Sequence, residues 1–227
     1  MSETKERGTT EVTETGNPDR SSGAADRLAE RGRQSIEIAY QRKLPAPKQY
    51  AFLGMVAAVS FVVAFGLGSA LNIATGIPLI GGLLNGVLVS LLLTLGLRTV
   101  ERFMASTVMW AIFGLLAIPT VTLGPPGVYK VIPALAGGIV WDAVVAASRG
   151  RRWGYVVGGF LGAVVIIIGV FIAAVYLGLP AADRLRNALY FLIPINGALA
   201  AFGIWLGLKL WERRLSRIAL FRSFGSQ

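Results

Sequence analysis

Hydrophobic positions in this chain run continuously instead of alternating. Six stretches stand out, near Tyr50–Leu71, Thr75–Leu97, Phe103–Leu123, Val128–Ala147, Trp153–Leu179 and Ala188–Lys209. Each is close to the roughly 20 residues that a helix, rising about 1.5 Å per residue, needs to cross about 30 Å of hydrocarbon. Apolar residues do not alternate along them as they would in a transmembrane strand. The pattern predicts an all-α membrane protein with six transmembrane helices in one bundle.

Polar positions divide the rest. Residues 1–48 are rich in Ser, Thr, Gly, Glu and Arg and poor in large apolar groups. Such a segment cannot bury enough surface to offset its ordering entropy, so it reads as a disordered hydrophilic tail. Pro45 and Pro47 interrupt any helix just ahead of the first apolar run. Residues 49–212 form the membrane domain and 213–227 a basic C-terminal tail. The first apolar run begins near residue 50, behind the hydrophilic tail, and reads as an uncleaved insertion signal.

Basic residues occupy every second gap. Arg42, Lys43 and Lys48 precede the first run, and Arg98 and Arg102 follow the second. Arg149, Arg151 and Arg152 follow the fourth, and Arg213, Arg214, Arg217 and Arg222 the sixth. The intervening gaps hold no basic residue, then Lys130, then Arg184 and Arg186 beside Asp183. Excess Lys and Arg stay on the cytoplasmic side, so both termini are expected there, in a multi-pass protein of the cell membrane.

Composition narrows the chemistry. Only 15% of the 227 residues are charged, with a net charge of +10. The basic residues flank apolar runs, which suits anionic lipid headgroups and not nucleic acid. The chain has no Cys and no His. Disulfides, thiolate nucleophiles, Cys/His zinc sites and histidine-ligated haem are therefore excluded, and no metal or cofactor is implied. Aspartate-rich magnesium pairs, a Gly-x-Ser-x-Gly elbow and a phosphate-cradling loop are missing, so no enzymatic activity is expected.

Within the spans, small residues recur at four-residue spacing: Gly54/Ala58 and Gly66/Ala70 in the first, then Gly82/Gly86, Ala134/Gly138, Gly158/Gly162 and Gly203/Gly207. Small side chains let helices approach closely where lipid offers no hydrophobic contrast. They serve packing within the bundle or, in the first span, docking of another membrane subunit.

Charge inside a bilayer costs about 2.5–3.5 kcal/mol per group, so Asp142, in the cytoplasmic half of the fourth span, requires a role. It accepts hydrogen bonds from a neighbouring helix or a snorkelling Arg149, or it takes part in coupling. Lys130 lies at the opposite end of that span, about 18 Å away by helical rise, and serves as an interfacial anchor or as a pocket cation. Around it, GPPGVYKVIP predicts an ordered loop with regular helix beginning near Pro133. Asn85, Tyr129, Tyr190 and Asn196 fall in the outer half, where amides, hydroxyls and one cation suit a small polar metabolite.

Taken with six spans and both ends inside, GIPLIGGLLNG opening the second span and GPPGVYKVIPALAGGIVWD leading through the fourth resemble the substrate-binding S component of energy-coupling factor (ECF) transporters. The resemblance covers about residues 48–212. It implies an outward-facing pocket for a vitamin-like small molecule, with Lys130, Tyr129, Tyr190 and Asn196 nearest to it. It implies too that the first helix, through Gly54, Ala58, Ser60 and Ala64, docks on a transmembrane coupling protein driven by ATPase subunits. Other readings are a membrane scaffold or assembly protein without a ligand, or a stand-alone small transporter.

Overall fold

The computed structural model describes residues 45–75, 78–120, 126–178 and 181–215, with side chains described except at 69, 71–75, 78–84 and 181–188. Most of the N-terminal tail, Thr122, the side chains of Asn72 and Asn187, and the last twelve residues lie outside that description. Among the described residues there are six α-helices and no strand: α1 Pro47–Thr75, α2 Pro78–Val100, α3 Ala105–Ala117, α4 Val131–Ala147, α5 Arg152–Tyr176 and α6 Ala181–Arg213. A short 3₁₀ turn, Val128–Lys130, leads into α4.

Local chemistry sets the helix ends. α1 starts at Pro47, where proline's missing N–H costs nothing and its fixed φ suits a first turn. The buried side chain of Gln49 reaches back to accept from the Ala46 N–H at 2.9 Å, closing half of a capping box. α4 begins two residues before the expected Pro133, which is tolerated because a first-turn residue needs no intrahelical N–H partner. α4 and α5 are joined by a tight turn with Arg149 and Gly150 in left-handed conformation, φ 55° and 70°.

Four stretches are long and apolar enough to cross a membrane: Pro47–Gly68, Val128–Ala147, Arg152–Tyr176 and Leu189–Arg213. Only 22–44% of each apolar window is buried within the chain, so most of this surface faces outward and calls for lipid. The expected third span, Phe103–Leu123, contains a helix of only 13 residues. Its last turn tightens as the Ile118 N–H bonds the Leu115 carbonyl at 3.2 Å, and Pro119 has no N–H with which to continue. α6, by contrast, is 33 residues long and carries Pro194 in its interior.

The helices close a ring in the order α1, α2, α6, α5, α4, α3 and back to α1. Leu53 and Ala57 of α1, Leu93 and Leu97 of α2, Met109 of α3, Trp141 of α4 and Ile204 of α6 meet in its core. Missing side chains set the closest approaches. A Cβ at Gly203 would sit 2.2 Å from the Val87 carbonyl oxygen, and one at Gly138 would sit 2.7 Å from Thr107 Cα. Those two glycines bring α6 against α2, and α4 against α3, backbone to backbone.

Candidate functional site

α3 is about 20 Å long by helical rise, well short of the ~30 Å apolar layer. Ala105 and Ala117, the residues at its two ends, are fully buried, so the orphan backbone groups there need partners within the protein. Its own sequence supplies no cap at the start: the residue before it is Met104, held in left-handed conformation at φ 67°. Asp142 of α4 supplies one. Its carboxylate accepts from the Ser106 N–H at 3.2 Å, the Thr107 N–H at 2.8 Å and the Thr107 hydroxyl at 2.7 Å. These backbone donors are the second and third of the helix, the pair an N-cap side chain normally serves. Asp142 is 1% exposed, and its negative charge sits at the positive end of the helix dipole.

The other end is closed by Lys130. Its ammonium donates to the Ala117 carbonyl at 3.0 Å and to the Thr120 carbonyl, and the residue is fully buried. Thr120 adds its own N–H and hydroxyl to Ala117, and Gly127 N–H covers the Ile118 carbonyl. α4 thus runs antiparallel to α3 and clamps it, with an acid at its N-terminus and a cation at its C-terminus. The twelve residue steps from Lys130 to Asp142 rise about 18 Å, close to the length of α3. The Asp142 carboxylate thus serves a neighbouring helix, and the Lys130 ammonium serves carbonyls.

The remaining pocket candidates do not converge around Lys130. Asn85 turns toward α1, where a Cβ at Gly68 would lie 2.4 Å from its amide nitrogen. Its Oδ1 is buried and has no hydrogen-bond partner among the described residues. Asn196 of α6 packs at Gly86, next to Asn85 in sequence, so the two amides occupy one level of α2 on two different interfaces. Tyr190 is 82% exposed on the outer side of α6. Tyr129 packs back over Gly127 in the 3₁₀ turn.

On α1, Ser60 and Ala64 are buried, and the Ser60 hydroxyl donates to the Val56 carbonyl at 2.7 Å. Gly54 lies 3.5 Å (from its ideal Cβ) from Ile112 of α3, and Ala58 is half-buried. The outward face of the helix is instead Met55, Val59, Val62 and Phe65.

A second polar group, not singled out from the sequence, lies where α2 ends and α5 begins. Arg98 pairs with Glu101 at 3.1 Å and lies over the Tyr155 ring, 5.3 Å from its centroid, while its Nε has no hydrogen-bond partner among the described residues. Glu101 sits in the turn after α2, and burial pushes its carboxyl above the ordinary range even though Arg98 pulls it down. The sequence signal was present: Arg98 and Glu101 are three apart, a spacing at which side chains meet. Among the described residues, no three His, Cys, Asp or Glu side chains group as metal ligands.

Comparison with protein-family models, curated proteins and solved structures returns no match for this chain.

Proposed function

We propose that the chain is a six-span protein of the cell membrane with both termini cytoplasmic, and that it captures a small polar metabolite from the outside. The observation that carries the ligand reading is the Oδ1 of Asn85, buried and without a hydrogen-bond partner among the described residues, at the level of Asn196. An unmet buried acceptor costs about 1–3 kcal/mol, a cost that a donor on a bound molecule would remove. The resemblance of GIPLIGGLLNG and GPPGVYKVIPALAGGIVWD to ECF S components supplies the class: a substrate-binding subunit that hands its cargo to a transmembrane coupling protein with ATPase subunits. In that reading the coupling protein displaces lipid from the Met55, Val59, Val62 and Phe65 face of α1.

A specific observation favours a second reading, that of a membrane scaffold. Asp142 and Lys130 are both spent on the ends of α3, which is the behaviour of charges kept for architecture. Ligand linkage separates the two. A panel of vitamins and related metabolites is scanned for a rise in the melting temperature of the purified chain. A compound that stabilises the wild type, with its effect lost in Asn85→Leu and Asn196→Ala, supports capture. A flat response, with no ATPase subunits co-purifying, supports the scaffold; uptake by the chain alone in liposomes, without ATP, supports a stand-alone transporter.

Orientation is tested separately, helped by the lack of natural cysteine. Single cysteines at Arg151 and Tyr176, exposed at opposite ends of α5, should label from the cytoplasmic and external sides respectively. The reverse labelling refutes the assigned topology.

A further inference from the structure

Where α5 begins and α6 ends, the two helices part around a groove of about 570 Å³. Its apolar part is formed by Val156, Val157 and Leu208, and two indoles, Trp153 and Trp205, stand beside it about half exposed. Its rim carries Arg152, Lys209, Glu212 and Arg213. Arg152 Nε meets Glu212 Oε1 at 2.6 Å, so the only carboxylate among the described residues lining the groove faces a cation within it. Lys209 lies 4.6 Å over the Trp205 ring and, among the described residues, has no acidic partner; neither has Arg213. These two are four apart on α6 and so share one face.

The groove is thus graded along its length. Its apolar part opens toward the middle of α5 and α6, and the end formed by the first turn of α5 and the last turns of α6 carries a net positive charge. Trp153, next to Arg152, and Trp205, one turn inward of Lys209, suit the amphipathic level of a bilayer, where Trp is favoured. A free anion would use only the cationic end, and a soluble apolar ligand only the other. A zwitterionic lipid would bring its own ammonium against Lys209 and Arg213.

We infer that this groove binds an anionic phospholipid, its phosphodiester between Lys209 and Arg213 and the start of an acyl chain along Val156 and Leu208. The inference needs the helices to lie in a bilayer and does not depend on substrate capture. Each basic side chain near an anionic headgroup is expected to favour it about fivefold, so two should give a clear preference over phosphatidylcholine.

The test uses the delipidated full chain in detergent and in nanodiscs. Short-chain phosphatidylglycerol should raise the melting temperature more than short-chain phosphatidylcholine, and inorganic phosphate should leave it unchanged. Brominated phosphatidylglycerol, diluted into a neutral bilayer, should quench tryptophan fluorescence more than brominated phosphatidylcholine at the same fraction. The double substitution K209Q/R213Q should abolish both preferences while keeping the lipid-free melting temperature. Equal responses to the two lipids, a full response to inorganic phosphate, or a preference that survives in the folded double variant would each overturn the assignment. If the double variant does not fold, the quenching comparison on the wild type decides alone.

Discussion

Replacing Asp142 by Ala strips the cap from α3 without touching that helix's sequence. Three donors lose their acceptor: the Ser106 and Thr107 N–H groups and the Thr107 hydroxyl. The hydroxyl can turn to a carbonyl one turn back, as Thr94 does toward Ser90, so it adds little. The two N–H groups cannot move, and stranding a buried donor costs about 1–3 kcal/mol. The 3.2 Å bond to Ser106 is the weaker of the two, and losing the charge at the helix terminus adds up to about 2 kcal/mol. Against this, removing a buried carboxylate relieves its desolvation, and a chain unfolded within a membrane finds other partners. We expect a net loss of about 3 kcal/mol for Asp142→Ala. Asp142→Asn keeps one oxygen for Thr107 but presents an NH₂ to Ser106, and should lose about 1–2 kcal/mol. Reversible unfolding in mixed micelles, followed by the fluorescence of nearby Trp141, measures both. An Asp142→Ala protein within about 0.5 kcal/mol of wild type would refute the capping account, since that is what an uninvolved surface site gives.

Lys130→Met keeps the length of the side chain but takes the ammonium from the Thr120 carbonyl and one of three donors from Ala117, and should cost about 1–3 kcal/mol in the same assay; wild-type stability would show the ammonium to be dispensable. Gly203→Ala forces a methyl against the Val87 carbonyl and should destabilise by about 1–3 kcal/mol, whereas Gly66→Ala meets nothing within 4 Å and should be neutral or gain up to about 1 kcal/mol; equal effects would refute the packing described. Glu101 should make stability fall with rising pH. Its folded pKa lies above the ordinary 4.5, so the folded state holds the proton more tightly, and that contribution, full below 4.5, is lost as pH rises through the folded value. Melting curves of wild type and Glu101→Gln should therefore diverge above pH 4.5 with the wild type losing ground; the opposite divergence would mean that Arg98 and not burial dominates.

Much of the fold was legible along the chain because its causes are local. Continuous apolar runs demand helices. Polar or basic residues separate the runs, although Pro47, read as a helix breaker ahead of the first run, is the first residue of α1. The small-residue pairs were also legible, but not their individual weight: Gly66 and Gly203 look alike in sequence, and only one touches a backbone. The length of α3 was not legible. Leu115 to Leu123 is apolar enough to read as membrane-spanning, yet the helix ends at Ala117, with Pro119 two residues on. Lys130 read equally as an anchor or a pocket cation because the carbonyls it serves, Ala117 and Thr120, belong to another helix end.

The sequence alone therefore determined a helical membrane protein with one lone acid and one lone cation on its fourth apolar run. Tertiary structure decided what those charges do. Hydrophobic periodicity is a property of neighbours, whereas a cap that reaches from Asp142 to Ser106, 36 residues back, exists only when α4 lies antiparallel to α3. Gly138 lets the two backbones come that close, and the length of α3 sets both charges at its ends.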